Sequence, residues 1–180
     1  MDTIIKSKKP FGVDLRELWQ FRELFWSLAI RDLKVRYKQT FIGVAWAIIQ
    51  PFILMIVFSV FFGQLGGVAP EGVPYPIFVY AGLLFWNFFS NTLSAASNSL
   101  VANQAIVQKI YFPRLILPLS GIIVNFIDFL CAAAVFAILL IYYGITPSLA
   151  GVLMIIPGLL IAACAVSGLG LILAAINVKY

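Results

Sequence analysis

The segment QKIYFPRLILP, residues 108–118, contains residue types that can bind another protein. Its amide, cationic and aromatic side chains are Gln108, Lys109, Tyr111, Phe112 and Arg114. Aromatic residues and arginine are enriched at protein interfaces, and exposed apolar groups often mark a contact surface. The residues alone leave two interpretations open: a docking surface for a partner, or an interfacial anchor for the apolar run that follows.

A second group of polar side chains follows helical spacing in an otherwise apolar region. Asn87, Asn91, Ser94 and Asn98 are separated by steps of four, three and four residues, which places them on one face of a helix. Such a face is unsuited to lipid. It must meet other helices, through hydrogen bonds, or water, and we treat these four residues as candidates for lining a hydrated path.

One acidic residue, Asp128, lies within a long apolar run, with Asn125 one helical turn before it. An acid at bilayer depth costs a few kcal/mol and usually faces the interior of a helix bundle. Asp128 is therefore either a proton or substrate site, or a structural residue that pairs with Asn125 or a neighbouring helix or is protonated. The structural role predicts that Asp128→Asn lowers assembly or stability more than activity per folded molecule.

The sequence contains no enzyme signature. It has no histidine, its cysteines Cys131 and Cys164 lie singly in apolar runs, and it lacks the Gly-x-x-x-x-Gly-Lys phosphate loop. No cluster of histidine, cysteine and carboxylate residues has the spacing of a metal site. We expect no catalytic residue, no metal site and no cofactor in this chain.

The composition is that of an integral membrane protein. Hydrophobic residues make up 63% of the chain, charged residues 11%, and the mean hydropathy is +1.04, whereas a soluble domain has about 25% charged residues. The formal net charge of +5 would suggest a nucleic-acid partner in a soluble protein. Here the cations stand at the edges of apolar runs, which is typical of membrane orientation, and we expect no nucleic acid.

An amphipathic helix is predicted over residues 14–38, after a cytoplasmic tail at 1–13. Asp14 and Glu17 have the spacing of a helix N-cap and its capping partner. Polar residues then recur every three or four positions, opposite several aromatic residues, a pattern that suits a membrane surface. The cations assigned to this interfacial helix are Arg31, Lys34, Arg36 and Lys38. A helix packed on a soluble domain is the weaker alternative.

Four apolar segments of about bilayer length follow, in a transmembrane domain over 43–176. The predicted spans are 43–63, 77–100, 117–143 and 151–176, with a loop at 101–116. Pro51 would kink the first. The last contains small residues that allow helices to approach closely, namely Ala162, Ala163, Ser167, Gly168 and Gly170.

Cations alternate with the side of the membrane in this topology. They are numerous before the first span, absent from the loop after it, present at Lys109 and Arg114, absent from the next turn, and present again at Lys179. The positive-inside rule places the N-terminus, the 101–116 loop and the end of the chain in the cytoplasm. The opening MDTIIKSKKP has no apolar signal region, so we expect the N-terminus to stay cytoplasmic.

Several segments resemble the permease subunits of type-2 ABC exporters of polysaccharide, which move O-antigen, capsule or teichoic-acid chains. The similar segments are RDLKVRYKQTFIGVAWAIIQP (31–51), VPYPIFVYAGLLFWNFF (73–89), KIYFPRLILPLS (109–120) and GLGLILAAINVKY (168–180). Together the resemblance covers most of residues 14–180, and the first and third segments are specific in combination. Phe85 departs from the pattern, because many members of the family have proline there.

The resemblance implies a fold and partners that spacing does not. Family permeases have six spans, so the chain would be a truncation after the fourth. They work as homodimers with two copies of a separate ATPase that binds ATP and Mg²⁺. The helix before the first span lies along the cytoplasmic interface, and a coupling element, which falls on about 103–114 here, docks on the ATPase.

The function implied is export of a lipid-linked polysaccharide through a multi-pass permease in the bacterial cytoplasmic (inner) membrane, in contact with membrane lipid. The chain would not be an enzyme, because its partner hydrolyses ATP, and such an exporter needs no proton relay at Asp128. Two alternatives stay open: a non-transporting membrane scaffold, and a drug or lipid exporter of the same superfamily. An ion-coupled carrier would need more charged residues inside its spans than Asp128.

Overall fold

The computed structural model describes residues 15–38, 41–63 and 72–179. All secondary structure in these ranges is α-helical, as predicted. The helices in chain order are α1 (Leu15–Gln20), α2 (Arg22–Lys38), α3 (Phe41–Phe62), α4 (Tyr75–Ala102), α5 (Gln104–Lys109), α6 (Ile116–Tyr142) and α7 (Leu149–Lys179). The tail predicted at 1–13 lies outside the described residues.

The helix predicted over 14–38 is interrupted near its start. Residue Phe21 forms a turn between α1 and α2, and its partly buried ring packs against a hydrophobic cluster shared with other parts of the chain. The structure therefore divides this segment into two helices at Phe21. The proposed cap at Asp14 lies outside the described residues.

Helix α4 is central in the described bundle, because it packs against α3, α6 and α7. Its buried residues Tyr80, Leu84 and Phe88 meet Met55 of α3 and Phe129 of α6. The rings of Phe88 and Phe129 lie 5.7 Å apart, edge to face, an arrangement that aromatic pairs prefer. The buried hydroxyl of Tyr80 donates a hydrogen bond of 3.2 Å to the carbonyl of residue 132.

Close packing of α4 on α7 depends on Gly170. A Cβ atom on Gly170 would lie 2.7 Å from the Cβ atom of Ala96 on α4, which is closer than real Cβ atoms come. The small residues predicted to allow helix approach therefore have that role at Gly170, and Ala162 packs against the main core. Gly168 does not, because a Cβ there would meet nothing within 4 Å.

Within the described residues, two helices, α6 and α7, are long and apolar enough to cross a membrane, by length and composition only. In α3 the apolar stretch is the shorter Ile48–Phe62. Helix α4 has 28 residues, about 42 Å at 1.5 Å per residue, but its second half is polar. The bounds of the long helices lie within three residues of the predicted spans, and the count of four spans stays a prediction.

Candidate functional site

The segment between α4 and α6 contains the short helix α5. Asn103 ends α4, since its backbone N–H donates to the carbonyl of Ser99 at 3.2 Å, and the same residue begins α5. After Lys109 the chain becomes extended at Ile110. We call residues 103–115 the docking segment, because they include the element that the resemblance assigned to ATPase docking, a role that stays a prediction.

Four of the five docking candidates are accessible on this segment. Gln108, Lys109 and Arg114 are exposed, and Tyr111 is 74% exposed. These side chains give the segment one amide, two cations and one aromatic ring that a partner could reach.

Phe112 corrects the predicted set. It is only 5% exposed and packs with Leu28 of α2 and with Ile116 and Leu117 at the start of α6. A side chain in this position cannot contact a partner without leaving the core. Phe112 therefore attaches the docking segment to the rest of the chain, while its neighbour Tyr111 points outward.

A polar contact also attaches the docking segment to α2. Arg31 donates from Nη2 to Asn103 Oδ1 at 2.7 Å and forms an ion pair with Asp32, also at 2.7 Å. The amide nitrogen of Asn103 in turn donates to the Ser99 carbonyl at 2.9 Å. Arg31 was predicted as an interfacial cation, but its guanidinium contacts protein groups.

The buried acid of α6 is paired with the end of α2. Tyr37 donates from its hydroxyl to Asp128 Oδ1 at 2.5 Å, and Arg36 Nη2 lies 2.9 Å from Asp128 Oδ2. Arg36 also donates from Nη1 to Asn125 Oδ1 at 3.1 Å. We call these four residues, Arg36, Tyr37, Asn125 and Asp128, the Asp128 cluster.

The Asp128 cluster pairs Asp128 with a neighbouring helix, one of the structural alternatives expected, and that helix is α2. Asp128 is 9% exposed and Asn125 is 2% exposed, while the Arg36 side chain is 39% exposed. A carboxylate this buried needs a cation or donors to offset its lost hydration. Arg36 is therefore the counter-ion of Asp128, and its assignment to an interfacial helix stays a prediction.

The Tyr37 hydroxyl has a perturbed ionisation. Burial raises its pKa above the ordinary tyrosine value, and the hydrogen bond to Asp128 and the charge of that carboxylate raise it further. Each of these causes disfavours the phenolate. Tyr37 is therefore a neutral hydrogen-bond donor to Asp128 across the physiological range.

The contacts of α2 with α6 follow matched positions. Leu28 packs in the cluster that contains Leu117, and eight residues later Arg36 bonds Asn125, itself eight residues after Leu117. At 1.5 Å per residue, the two helices run side by side in the same direction for about 12 Å. The resemblance implied a helix along the membrane interface, whereas α2 packs lengthwise on the first turns of α6.

The outer face of α2 combines apolar and charged groups. Trp26, Ile30 and Val35 are exposed, at 55%, 46% and 59%, and border a groove with Arg22 and Lys34. This mixture matches the surface helix expected from the sequence. The fourth interfacial candidate is Lys38, whose side chain lies outside the described set.

The polar stripe of α4 faces away from the main core. Asn91, Ser94 and Asn98 are exposed, whereas the partly buried Asn87 has an amide nitrogen without a hydrogen-bond partner in the described structure. Asn98 accepts a hydrogen bond of 3.1 Å from Asn177 of α7. One member of the stripe thus bonds a neighbouring helix, and the path-lining role of the four stays a prediction.

Sequence reasoning missed Arg36, Tyr37, Asn103 and Asn177 as contact residues. Each forms a hydrogen bond with a residue more than 70 positions away in the sequence. The available signal was the lone intramembrane acid, which requires a partner cation somewhere in the chain. In the described residues no group of three histidine, cysteine or carboxylate side chains could hold a metal ion.

Comparison with known proteins identifies the family. Residues 23–180 match the ABC-2 type transporter family. The chain is 34% identical over 122 residues to the O-antigen export system permease protein RfbA of Klebsiella pneumoniae, covering 68% of this chain and 46% of that protein. It is 32% identical over 167 residues to the protein of the same name from Myxococcus xanthus, covering 92% and 63%. The chain thus spans about half to two thirds of the length of these relatives, and it belongs to the ABC-2 type transporter family.

Proposed function

We propose that the chain is part of the membrane-spanning permease subunit of an ATP-driven exporter of lipid-linked polysaccharide, of the O-antigen class, in the bacterial inner membrane. The observation that carries this proposal is the similarity to relatives named as O-antigen export permeases, which extends over 92% of the chain in one case. Six spans in the whole protein, a homodimer and a cytoplasmic N-terminus belong to the same proposal.

In this proposal a separate ATPase binds ATP and Mg²⁺ and docks on the exposed part of the docking segment. Support comes from the exposure of Lys109, Tyr111 and Arg114 on one short segment. An arginine, a lysine and a tyrosine supply charge and apolar area that suit a partner groove with acidic residues. Phe112 would hold the docking segment in place by packing against α2 and the start of α6.

The polysaccharide would pass along a hydrated route to which α4 contributes. The exposed amides and hydroxyl of Asn91, Ser94 and Asn98 can exchange hydrogen bonds with sugar hydroxyls without a fixed orientation. Asn91, Ser94 and Asn98 are exposed beside the buried face of α4, where a second subunit or the rest of the chain could complete the route.

The test is co-purification of the ATPase with the full-length protein from native membranes in mild detergent. We compare the wild type with a Lys109→Glu, Arg114→Glu double variant. The matched control is Arg22→Glu, Lys34→Glu, which reverses two exposed cations on α2 instead. Reversing charges at a docking contact costs about 2–5 kcal/mol, so the first variant should retain less than a tenth of the ATPase.

Surface display of O-antigen by cells that depend on each variant gives the second readout. The docking variant should lose display, and the control should keep both the ATPase and display. Absence of an ATPase from the wild-type sample would contradict the exporter assignment and favour a scaffold. Loss from the control alone would place the docking site on α2. Normal export of another lipid or of a drug without polysaccharide would contradict the substrate class.

A further inference from the structure

The Asp128 cluster has no role in the proposed docking or sugar contacts. It joins two helices, α2 and α6, that are far apart in the sequence. Arg36 and Tyr37 come from the end of α2, and Asn125 and Asp128 come from the middle of α6. Both oxygens of the carboxylate face α2: one accepts from Tyr37 and the other lies beside Arg36. Within the described residues, Arg36 is the cation paired with this carboxylate.

The same helix also contacts the docking segment. Arg31 bonds Asn103 at the start of α5, and Leu28 packs against Phe112. Arg31 and Arg36 are five residues apart, about 7.5 Å along one helix. Helix α2 therefore contacts the docking segment near its middle and α6 at its end, with no loop between the two contacts.

The buried charge of Asp128 makes the contact between α2 and α6 specific. Asp128 is 9% exposed with α2 in place. If α2 moved away from α6, the carboxylate would lose its counter-ion and a hydrogen bond within an apolar span, where an unpaired charge is strongly unfavourable. Apolar side chains can slide past one another at small cost, but this pairing has one favourable arrangement. The cluster therefore fixes the register of α2 on α6.

We infer that Arg36 and Tyr37 are positioning residues, which hold α2 in register on α6 so that the docking segment and the first half of α6 move as one body. This inference rests on the proposed function, because it gives the movement a use: displacement of the docking segment by the ATPase reaches α6 through α2. Loss of the cluster would leave the ATPase bound and active while export per ATP falls.

The first experiment measures attachment of α2 and does not depend on transport. Full-length protein in membrane vesicles is digested with trypsin, and cleavage within α2 is followed at Arg22 and Arg31. Cleavage should be at least tenfold faster in Arg36→Gln and Asp128→Asn than in the wild type. Lys34→Gln is the matched control, since it removes one exposed cation two residues from Arg36, and its cleavage rate at these sites should be unchanged.

The second experiment measures coupling in vesicles that contain the co-purified ATPase. Polysaccharide exported per ATP hydrolysed should fall at least fivefold in Arg36→Gln, with ATPase binding retained, while Arg36→Lys should keep most of the wild-type ratio because it preserves the cation. A merely structural role would lower the amount of complex without changing this ratio. If Arg36→Gln does not accumulate, Tyr37→Phe removes only a hydroxyl, and a two- to threefold fall is expected.

The outcomes separate the two proposals. Unchanged trypsin cleavage in Arg36→Gln would overturn the inference even if the chain exports polysaccharide. An unchanged export ratio in Arg36→Gln, or in Tyr37→Phe if the former fails to accumulate, would overturn it as well. Absence of any ATPase from the wild-type preparation would instead contradict the proposed function. Faster cleavage of Arg36→Gln than of the wild type would, even then, support the attachment of α2 by the cluster.

Discussion

Replacement of Gly170 by alanine should loosen the contact of α7 with α4. The new Cβ atom would lie 2.7 Å from the Cβ of Ala96, and ordinary contact begins near 3.4 Å, so the helices must separate locally by about 0.7 Å (3.4 minus 2.7). Neither atom is the end of a flexible side chain, so rotation cannot relieve the clash.

The cost follows from the packing around this contact. The added Cβ would meet Leu93 of α4 only at 4.0 Å, so the clash is with Ala96. Separating α7 from α4 by about 0.5–1 Å would forfeit a quarter to a half of the attraction between atoms now in contact across the two helices. Overpacking of this kind costs about 1–3 kcal/mol. Alanine gains about 1 kcal/mol of helix propensity over glycine, so the net loss should be about 0–2 kcal/mol.

Gly168→Ala is the matched control, because a Cβ there meets nothing within 4 Å. It should be neutral or stabilising by about 0.5–1 kcal/mol, so the two variants should differ by about 1–3 kcal/mol. The assay is thermal unfolding in one detergent, followed by loss of the monodisperse peak in gel filtration. Ala96→Gly alone should cost about 1 kcal/mol of helix propensity, and in the Gly170→Ala background, where it also removes the clashing atom, it should cost less or be stabilising. Equal stability of the two glycine variants, or the same effect of Ala96→Gly in both backgrounds, would refute the reasoning.

Three further predictions concern single side chains. Phe112→Ala should cost about 3–5 kcal/mol because it empties a core position, whereas Tyr111→Ala, on an exposed neighbour, should stay within about 0.5 kcal/mol; thermal unfolding compares them, and equal losses would contradict the assignment of Phe112 to the core. The raised pKa of Tyr37 means that the stability its hydroxyl contributes is fully present below the ordinary tyrosine pKa of about 10 and is lost as the pH rises further. The wild type should therefore lose stability more steeply than Tyr37→Phe above about pH 10, and parallel pH profiles would contradict this. Asn177→Ala should cost about 0.6 kcal/mol, the average of polar contacts between membrane helices, and in the Asn98→Ala background it should cost less; strict additivity in that double-mutant cycle would show that the two amides do not interact.

The positions of the long helices could be predicted because hydrophobic length and turn residues determine them. Helix α6 ends at Tyr142, and the following Gly144 has φ +67°, a left-handed conformation that glycine adopts without strain. Its N–H donates to the carbonyl of Ile141 at 3.1 Å. The sequence GITPS therefore predicts this end of the helix from local chemistry alone.

The opposite orientations of Tyr111 and Phe112 depend on a backbone conformation that residue type does not give. The chain is extended at Ile110, just before the two rings, and successive side chains of an extended backbone point to opposite sides. Of the two rings, phenylalanine is the less costly to bury, because a buried tyrosine hydroxyl needs a hydrogen-bond partner. Residue type alone therefore placed both aromatics in the docking set, whereas the structure exposes Tyr111 and buries Phe112.

The partner of Asp128 could not be predicted in the same way. Helical periodicity gives the residues that share a face of one helix, but it does not give the rotation of that helix relative to another. Arg36 shares a helix with several other cations, and its selection depends on the parallel register of α2 and α6, which brings residue 36 beside residues 125 and 128. That register follows from the burial of Leu28 against Phe112 and Leu117, a contact between segments more than 80 residues apart.

The pairing of Arg36 with Asp128 removes one cation from the comparison that predicts the orientation of the chain in the membrane, and the predicted orientation is unchanged. A cation neutralised by a buried acid should be discounted from the positive-inside comparison, which concerns cations in the flanking loops. Arg22 and Lys34 remain exposed on α2, and Lys109 and Arg114 remain exposed on the docking segment. The bond between Arg31 and Asn103 places these two groups at the same end of the bundle by geometry, independently of any count. Because this contact brings α2 and the docking segment together, both must lie on the same side of the membrane. If one of them is cytoplasmic, the other is cytoplasmic as well.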